Sequence, residues 1–135
     1  VLVGLSKKQQ KKLPGNVLGL GRTSSAEELA EYYTMADVFV NATLEDNFPT
    51  TNLEALACGT PVITFDTGGS PESLDESCAR VVKKGDLDAL LQAVLQEQKE
   101  PKTREACLKR AEQYEKEDRF QEYVELYHEL AGRRG

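Results

Sequence analysis

The sequence predicts an α/β fold with an open parallel sheet and helices on both faces. Short apolar runs, too short and too rich in β-branched residues for helices, alternate along the chain with longer amphipathic segments. The runs are almost continuously apolar, which is typical of parallel strands that are buried on both faces. An alternation of strands and helices of this kind is expected to form βαβ units with crossover connections.

Five apolar runs are predicted to be strands. They are Val1–Val3, Val17–Leu20, Val38–Val40, Pro61–Phe65 and Ala79–Val82. The polar and basic stretch Lys7–Lys12 separates the first two, and we interpret it as a short solvated helix or a loop. Helices are predicted between the later strands, so the carboxyl ends of these strands should share one edge of the sheet, where ligands of such folds bind.

The helices are predicted from their caps and from their apolar spacing. Ser25 and Glu28 form a capping box before a helix whose buried face follows the i, i+3, i+4, i+7 pattern. That face consists of Leu29, Tyr32, Tyr33 and Ala36. The next helix contains Leu53, Leu56 and the core residues Ala57 and Cys58, and is expected to end at Gly59 and Pro61.

Two further helix starts are indicated by cap residues. Ser70 followed by Pro71 predicts an N-cap with proline in the first helical position. Asp86 predicts the cap of a helix whose apolar face is Leu87, Leu90, Leu91, Val94 and Leu95. After Pro101 the chain becomes rich in charged residues, and a helical tail is expected through residue 135, with His128 on its surface.

Composition and charge exclude several classes of function. The 135 residues contain 23 acidic and 17 basic side chains, a net charge of −6, which disfavours nucleic acid and anionic membranes as partners. The three cysteines have no CxxC spacing, so we expect reduced thiols in a cytoplasmic compartment and no zinc site. The chain begins at Val1 within an apolar run, and we interpret it as a piece of a longer protein.

The loop after Val38–Val40 is the most informative segment. A helix is predicted to begin near Thr50 or Thr51, after Pro49, and its first N–H groups would form an anion site. Three carboxylates flank that site, and carboxylates accept hydrogen bonds from hydroxyl groups; they are Glu45, Asp46 and Glu54. A phosphate-binding helix start beside hydroxyl-binding carboxylates suits a sugar nucleotide. Thr51 and Glu54 also have the spacing of a capping box, so Glu54 has an alternative structural role.

From Ala36 to Glu72 the sequence resembles the C-terminal, donor-binding half of the family-four retaining glycosyltransferases. The hallmark of that family is an acidic residue, seven others and a glutamate, which Asp46 and Glu54 match here, with aspartate in place of the usual glutamate. Glu45 is next to Asp46 and competes for its role. The segments Leu53–Ile63 and Gly68–Glu72 also fit the resemblance.

The resemblance implies a Rossmann-like half of a B-type, two-domain enzyme that transfers a hexosyl group from a nucleoside-diphosphate sugar. Residues 1–100 would be the nucleotide-sugar-binding domain, truncated at its N-terminal side, and residues 101–135 its C-terminal helices. Asp46 and Glu54 would be catalytic, with Glu54 on the ribose hydroxyls. The donor would also be bound by Arg22, Glu45, Asn47, Phe48, Pro49, Thr50, Thr51, Gly68 and Gly69.

The same resemblance implies the partners. The acceptor would be a saccharide or glycolipid in polysaccharide or glycolipid assembly, bound by an N-terminal domain that this chain lacks, so the isolated chain should be inactive. No metal and no cofactor besides the donor are expected. Self-association of the chain through the uncovered part of its sheet is also expected. The expected location is the cytoplasm, and the full-length protein could be attached peripherally to a membrane.

Two other functions remain open at this point. A sugar-nucleotide epimerase or a phosphorylase shares the two-domain architecture, and a non-catalytic nucleotide-binding or protein-interaction module would also suit the fold. A dinucleotide-binding domain is set aside because Gly19 and Gly21 lack a third glycine, which Ser24 replaces.

Overall fold

The computed structural model describes residues 1–45, 49–114 and 125–132. Its main sheet has three parallel strands in the order β1-β2-β3, and the predicted fold class is confirmed. The strands are β1 (Phe39–Asn41), β2 (Val62–Asp66) and β3 (Ala79–Lys83). The helices are α1 (Lys7–Gln10), α2 (Ala26–Met35), α3 (Thr50–Ala57), α4 (Leu87–Lys99) and α5 (Arg104–Glu112), and residues 125–132 are also helical.

Helices cover both faces of this sheet. Ala79 of β3 belongs to the buried core that α2, α3 and α5 build on one face. The next residue, Arg80, points to the opposite face and forms an ion pair with Glu97 of α4, with Nε 2.8 Å from Oε2. Successive side chains of a strand alternate between faces, so α4 lies on the side opposite α3.

The predicted caps of two helices are confirmed. The Ser25 hydroxyl accepts a hydrogen bond from Glu28 N at 3.1 Å, and Asp86 Oδ1 accepts one from Ala89 N at 2.9 Å. The reciprocal half of the predicted capping box goes to the preceding residue, because Glu28 Oε2 accepts a hydrogen bond from Ser24 N at 2.8 Å. The stop of α3 at Gly59 is confirmed as well, since this residue has φ +74°, a conformation that glycine adopts without steric cost. Lys7–Gln10 forms the short exposed helix that was one of the two expected structures.

The first two predicted strands do not join the main sheet within the described residues. They pair with each other in parallel through a single bridge between Leu2 and Gly19. Val1, Leu2 and Leu18 remain 66%, 47% and 58% exposed. Without burial of these side chains, little apolar stabilisation is available to extend the pairing into full strands.

Two helix predictions are wrong in part or in whole. Residues 68–73 form turns instead of a helix, with Ser70 N bonded to Thr67 O and Glu72 N to Gly69 O. In α4, Leu87, Leu91 and Leu95 are exposed, because the helix turns Ala93 and Glu97 towards the sheet. With this rotation Glu97 forms its ion pair with Arg80, a contact that the apolar spacing alone does not predict.

Within the described residues, no helix has both the length and the apolar character required to cross a bilayer. The same part of the chain holds no group of three or more His, Cys, Asp or Glu side chains arranged to bind a metal ion.

Candidate functional site

The candidate site lies at the carboxyl ends of β1 and β2. The loop after β1 and the loop after β2 meet there, because the Thr67 hydroxyl donates a hydrogen bond of 2.8 Å to the carbonyl of Leu44. The start of α3 follows the first of these loops at Thr50. The edge of the sheet predicted to carry the site therefore brings together two loops and one helix start.

A buried network of polar side chains ties these three elements together. Asn41 Nδ2 donates to Asn52 Oδ1 at 2.9 Å, and Asn52 Nδ2 donates to Ser70 Oγ at 3.1 Å and to Ser70 O at 3.2 Å. Ser70 Oγ and Thr64 Oγ1 share a hydrogen bond of 2.7 Å, and Thr64 Oγ1 donates to Asn41 O at 3.0 Å. The donors can follow one another in a closed ring, an arrangement in which each hydrogen bond strengthens the next.

Sequence reasoning missed this network. Asn52, Thr64 and Ser70 are fully buried, although each has a polar side chain that is usually exposed. The available signal was the position of Thr64 inside the otherwise apolar segment Pro61–Phe65. Ser70 was instead assigned to a helix cap, and the structure shows its hydroxyl directed inward, which explains why no helix begins there.

The start of α3 presents backbone N–H groups at this edge. The helix begins at Thr50 with Pro49 as its N-cap, and no side chain of the described residues caps it. The first N–H groups of a helix have no carbonyl partner within the helix, and the helix dipole favours an anion beside them. Pro49 is buried, Thr50 is half-buried and Thr51 is exposed, so the first turn is accessible to a ligand.

The capping-box interpretation of Glu54 is wrong. Because α3 begins at Thr50, Thr51 is already inside the helix and is not its N-cap. The Glu54 carboxylate instead accepts a hydrogen bond of 3.1 Å at Oε2 from the hydroxyl of Tyr33. A carboxylate can accept several hydrogen bonds at once, so the contact with Tyr33 is compatible with binding of ligand hydroxyls.

The other predicted site residues are distributed as follows. Glu45 is exposed at the end of the loop, and its carbonyl accepts a hydrogen bond of 2.9 Å from the Thr43 hydroxyl. Gly68 is exposed with φ +50°, and Gly69 is buried in the same turn. Asp46, Asn47 and Phe48 lie outside the described residues.

Arg22 is not brought to this edge by any contact that the structure describes. It lies after the Leu2–Gly19 bridge, its side chain is exposed, and no hydrogen bond or ion pair links it to the described part of the site. Its predicted place beside the donor remains a prediction.

A hollow of about 580 Å³ lies at the opposite edge, where Val38 and Pro61 precede β1 and β2. Its lining includes Glu97, Lys102 and Arg104. Two of these side chains already serve the fold, because Glu97 Oε1 accepts a hydrogen bond from the backbone N of Lys102 at 2.7 Å and Arg104 Nη2 donates to Thr34 O at 2.8 Å. The carboxyl edge therefore remains the better candidate for a functional site.

The model of one protein family, described as "Glycosyl transferases group 1", matches residues 4–114. The chain belongs to this family. The match spans every named element of the structure except the last helical stretch, and it includes Tyr33, Glu54 and the whole polar network. The family resemblance carried by the loop after Val38–Val40 is thereby confirmed.

Several curated proteins are similar to this chain. A "GDP-mannose-dependent alpha-(1-6)-phosphatidylinositol monomannoside mannosyltransferase" from Mycolicibacterium smegmatis is 42% identical in an alignment 77 residues long, which covers 51% of this chain and 20% of that protein. A "D-inositol 3-phosphate glycosyltransferase" from Streptomyces bingchenggensis is 36% identical over 59 residues, or 44% of this chain and 13% of that protein. The aligned part thus spans a fifth or less of these relatives.

A solved structure shows the same fold. Sucrose-phosphate synthase from Thermosynechococcus elongatus superposes with a TM-score of 0.71 and 27% sequence identity. The match covers 92% of this chain and 32% of the synthase. This group 1 glycosyltransferase chain therefore has the fold of a segment of that considerably longer synthase.

Proposed function

We propose that this chain is the nucleotide-sugar-binding part of a retaining glycosyltransferase, which transfers a hexosyl group to a saccharide or glycolipid acceptor. The observation that carries the proposal is the Glu54 carboxylate, held on α3 at the carboxyl edge of the sheet, beside a helix start that no side chain of residues 1–45 or 49–114 caps. An anion site next to a hydroxyl acceptor matches a diphosphate joined to a ribose.

In this proposal each group has a distinct task. The N–H groups at the start of α3, near Thr50 and Thr51, stabilise the negative charge that develops on the departing diphosphate, which is the largest electrostatic task in such a transfer. Glu54 accepts hydrogen bonds from the ribose hydroxyls. The Gly68–Gly69 turn lies at the same edge of the sheet and, together with Pro49, contributes to binding of the donor.

The spacing of the family hallmark assigns Asp46 to the hydroxyls of the donor sugar, with Glu45 as the neighbouring candidate. Arg22 is assigned to the nucleobase side on the same basis. The acceptor would bind to an N-terminal domain of the full-length protein, so the 135-residue chain should bind donor without transferring sugar. Transfer by this chain alone would contradict that assignment.

Calorimetric titration with nucleoside diphosphates tests the donor site. The relative named as GDP-mannose-dependent makes GDP the first ligand to test, and UDP the second. Glu54→Gln should weaken binding by about 1–2 kcal/mol, because the hydroxyl then meets a neutral amide oxygen in place of a charged carboxylate oxygen. Glu112→Gln, at the exposed end of α5, is the matched control and should leave the affinity unchanged.

Two results would reject the proposal. One is the absence of binding to any nucleoside diphosphate. The other is equal affinity of Glu54→Gln and Glu112→Gln, which would remove Glu54 from the site and favour a protein-interaction module.

A further inference from the structure

We infer that Tyr33 is a positioning residue that fixes the Glu54 carboxylate for the ribose of the donor; this inference rests on the function proposed above. Its hydroxyl donates a hydrogen bond of 3.1 Å to Glu54 Oε2. The two residues are 21 positions apart and belong to different helices, α2 and α3. The bond therefore sets the orientation of the carboxylate from outside its own helix.

The Tyr33 ring has little freedom to move. The residue is only 7% exposed, and its ring meets that of Phe39 edge to face, with centroids 5.3 Å apart and an interplanar angle of 79°. A buried ring in this arrangement is held by packing on β1, so its hydroxyl is directed to one place. The Glu54 carboxylate is therefore hydrogen-bonded to a side chain that packs directly on the sheet.

The end of α2 is fixed by two hydrogen bonds from other elements. The Thr60 hydroxyl donates to Tyr33 O, and Arg104 Nη2 donates to Thr34 O at 2.8 Å. These carbonyls lie in the last turn of α2, where backbone acceptors lack i+4 partners within the helix, and Tyr33 O also accepts a hydrogen bond of 3.2 Å from Ala36 N at the C-cap. Thr60 precedes β2 and Arg104 begins α5, so the backbone that carries the Tyr33 ring is attached to two other parts of the core.

A ribose hydroxyl needs an acceptor in one orientation, and a glutamate side chain has three rotatable bonds. Holding such a side chain before the ligand arrives reduces the ordering cost of binding. In the structure Tyr33 supplies this restraint at Oε2, which orders the side chain for further hydrogen bonds at the carboxylate.

The chain offers a matched control in the next residue. Tyr32 also donates a hydrogen bond to a glutamate, with its hydroxyl 3.3 Å from Glu28 Oε1, but that pair lies along α2 and away from Glu54. Tyr33→Phe and Tyr32→Phe thus each remove one hydroxyl and one Tyr–Glu hydrogen bond from the same helix. Both variants keep the aromatic ring and its packing.

The test is titration of both variants with GDP or UDP, whichever the unaltered chain binds, and with the 2′,3′-dideoxy form of the same nucleotide. Tyr33→Phe should weaken binding of the ribose nucleotide about 3- to 10-fold, and Tyr32→Phe should change it less than twofold. The dideoxy nucleotide should bind equally to the unaltered chain and to Tyr33→Phe. In a Glu54→Gln background, Tyr33→Phe should have no additional effect.

The outcomes separate the two proposals. If Glu54→Gln weakens binding but Tyr33→Phe does not, the inference about Tyr33 is overturned while the donor site stands. If Tyr33→Phe weakens both nucleotides equally, its role is structural and the inference is likewise overturned. If Glu54→Gln has no effect or no nucleotide binds, the proposed function fails and the role of Tyr33 fails with it.

Discussion

Replacing Asn52 by alanine should destabilise the chain more than its position in a short helix would indicate. Its fully buried side chain accepts one hydrogen bond from Asn41 and donates two to Ser70. Ser70 Oγ keeps its bond to Thr64, and water can reach the half-buried Asn41, but the buried carbonyl of Ser70 loses the hydrogen bond that Asn52 donates to it. Three lost hydrogen bonds at about 1 kcal/mol each give a loss of about 3 kcal/mol.

A loss of that size is a large fraction of the roughly 5–15 kcal/mol that stabilises a small domain. It corresponds to a fall in Tm of about 10 °C for a chain of this length. Urea unfolding followed by circular dichroism measures the free energy difference directly. Thr51→Ala is the control, because Thr51 is the exposed neighbour in the same helix and its replacement should change stability by less than about 0.5 kcal/mol.

Asn52→Leu separates hydrogen bonding from packing. Leucine fills a similar volume but cannot form any of the three hydrogen bonds, so a comparable loss of stability is expected. A loss below about 1 kcal/mol in both variants, or equality with Thr51→Ala, would refute the view that the polar network holds this edge together.

Two further predictions concern the core. Gly59→Ala should lower the free energy of unfolding by about 2 kcal/mol, because Gly59 has φ +74° and an added Cβ would lie 3.2 Å from Tyr127 Cε2. Gly15 has open space around it, so Gly15→Ala is the control and should be nearly neutral. Equal melting temperatures of the two variants would contradict this prediction. Burial raises the pKa of the Cys58 and Cys107 thiols to about 12. A thiol-specific reagent at pH 8 should therefore modify them only after unfolding. Rapid labelling of the folded chain would contradict this prediction. Because unfolded thiols ionise near pH 8.5, the stability that these buried groups contribute is complete below that pH and should be lost as the pH rises towards 12.

The sequence alone determined the features that depend on neighbouring residues. Short segments of the sequence were enough to predict two strands, two helix caps and one helix stop, and the structure contains each of them. These are the strands at Val38–Val40 and Pro61–Phe65, the caps at Ser25 and Asp86, and the stop at Gly59. The family was also predictable, because its motif is a continuous stretch around Glu54.

The tertiary structure decided the features that depend on residues far apart in the chain. Ser70 could serve as a helix cap by local criteria, yet its hydroxyl binds Asn52, 18 positions away. The apolar spacing of α4 did not show which side would face the sheet, where Glu97 pairs with Arg80, 17 positions away.

Glu54 shows the same division most clearly. Its sequence offered a capping box with Thr51, but the fold brings Tyr33 to its carboxylate instead. A helix cap depends on interactions within one helical turn, so a short segment of sequence is enough to predict it. A contact between two helices depends on how both pack against a strand, and only the folded chain fixes that geometry.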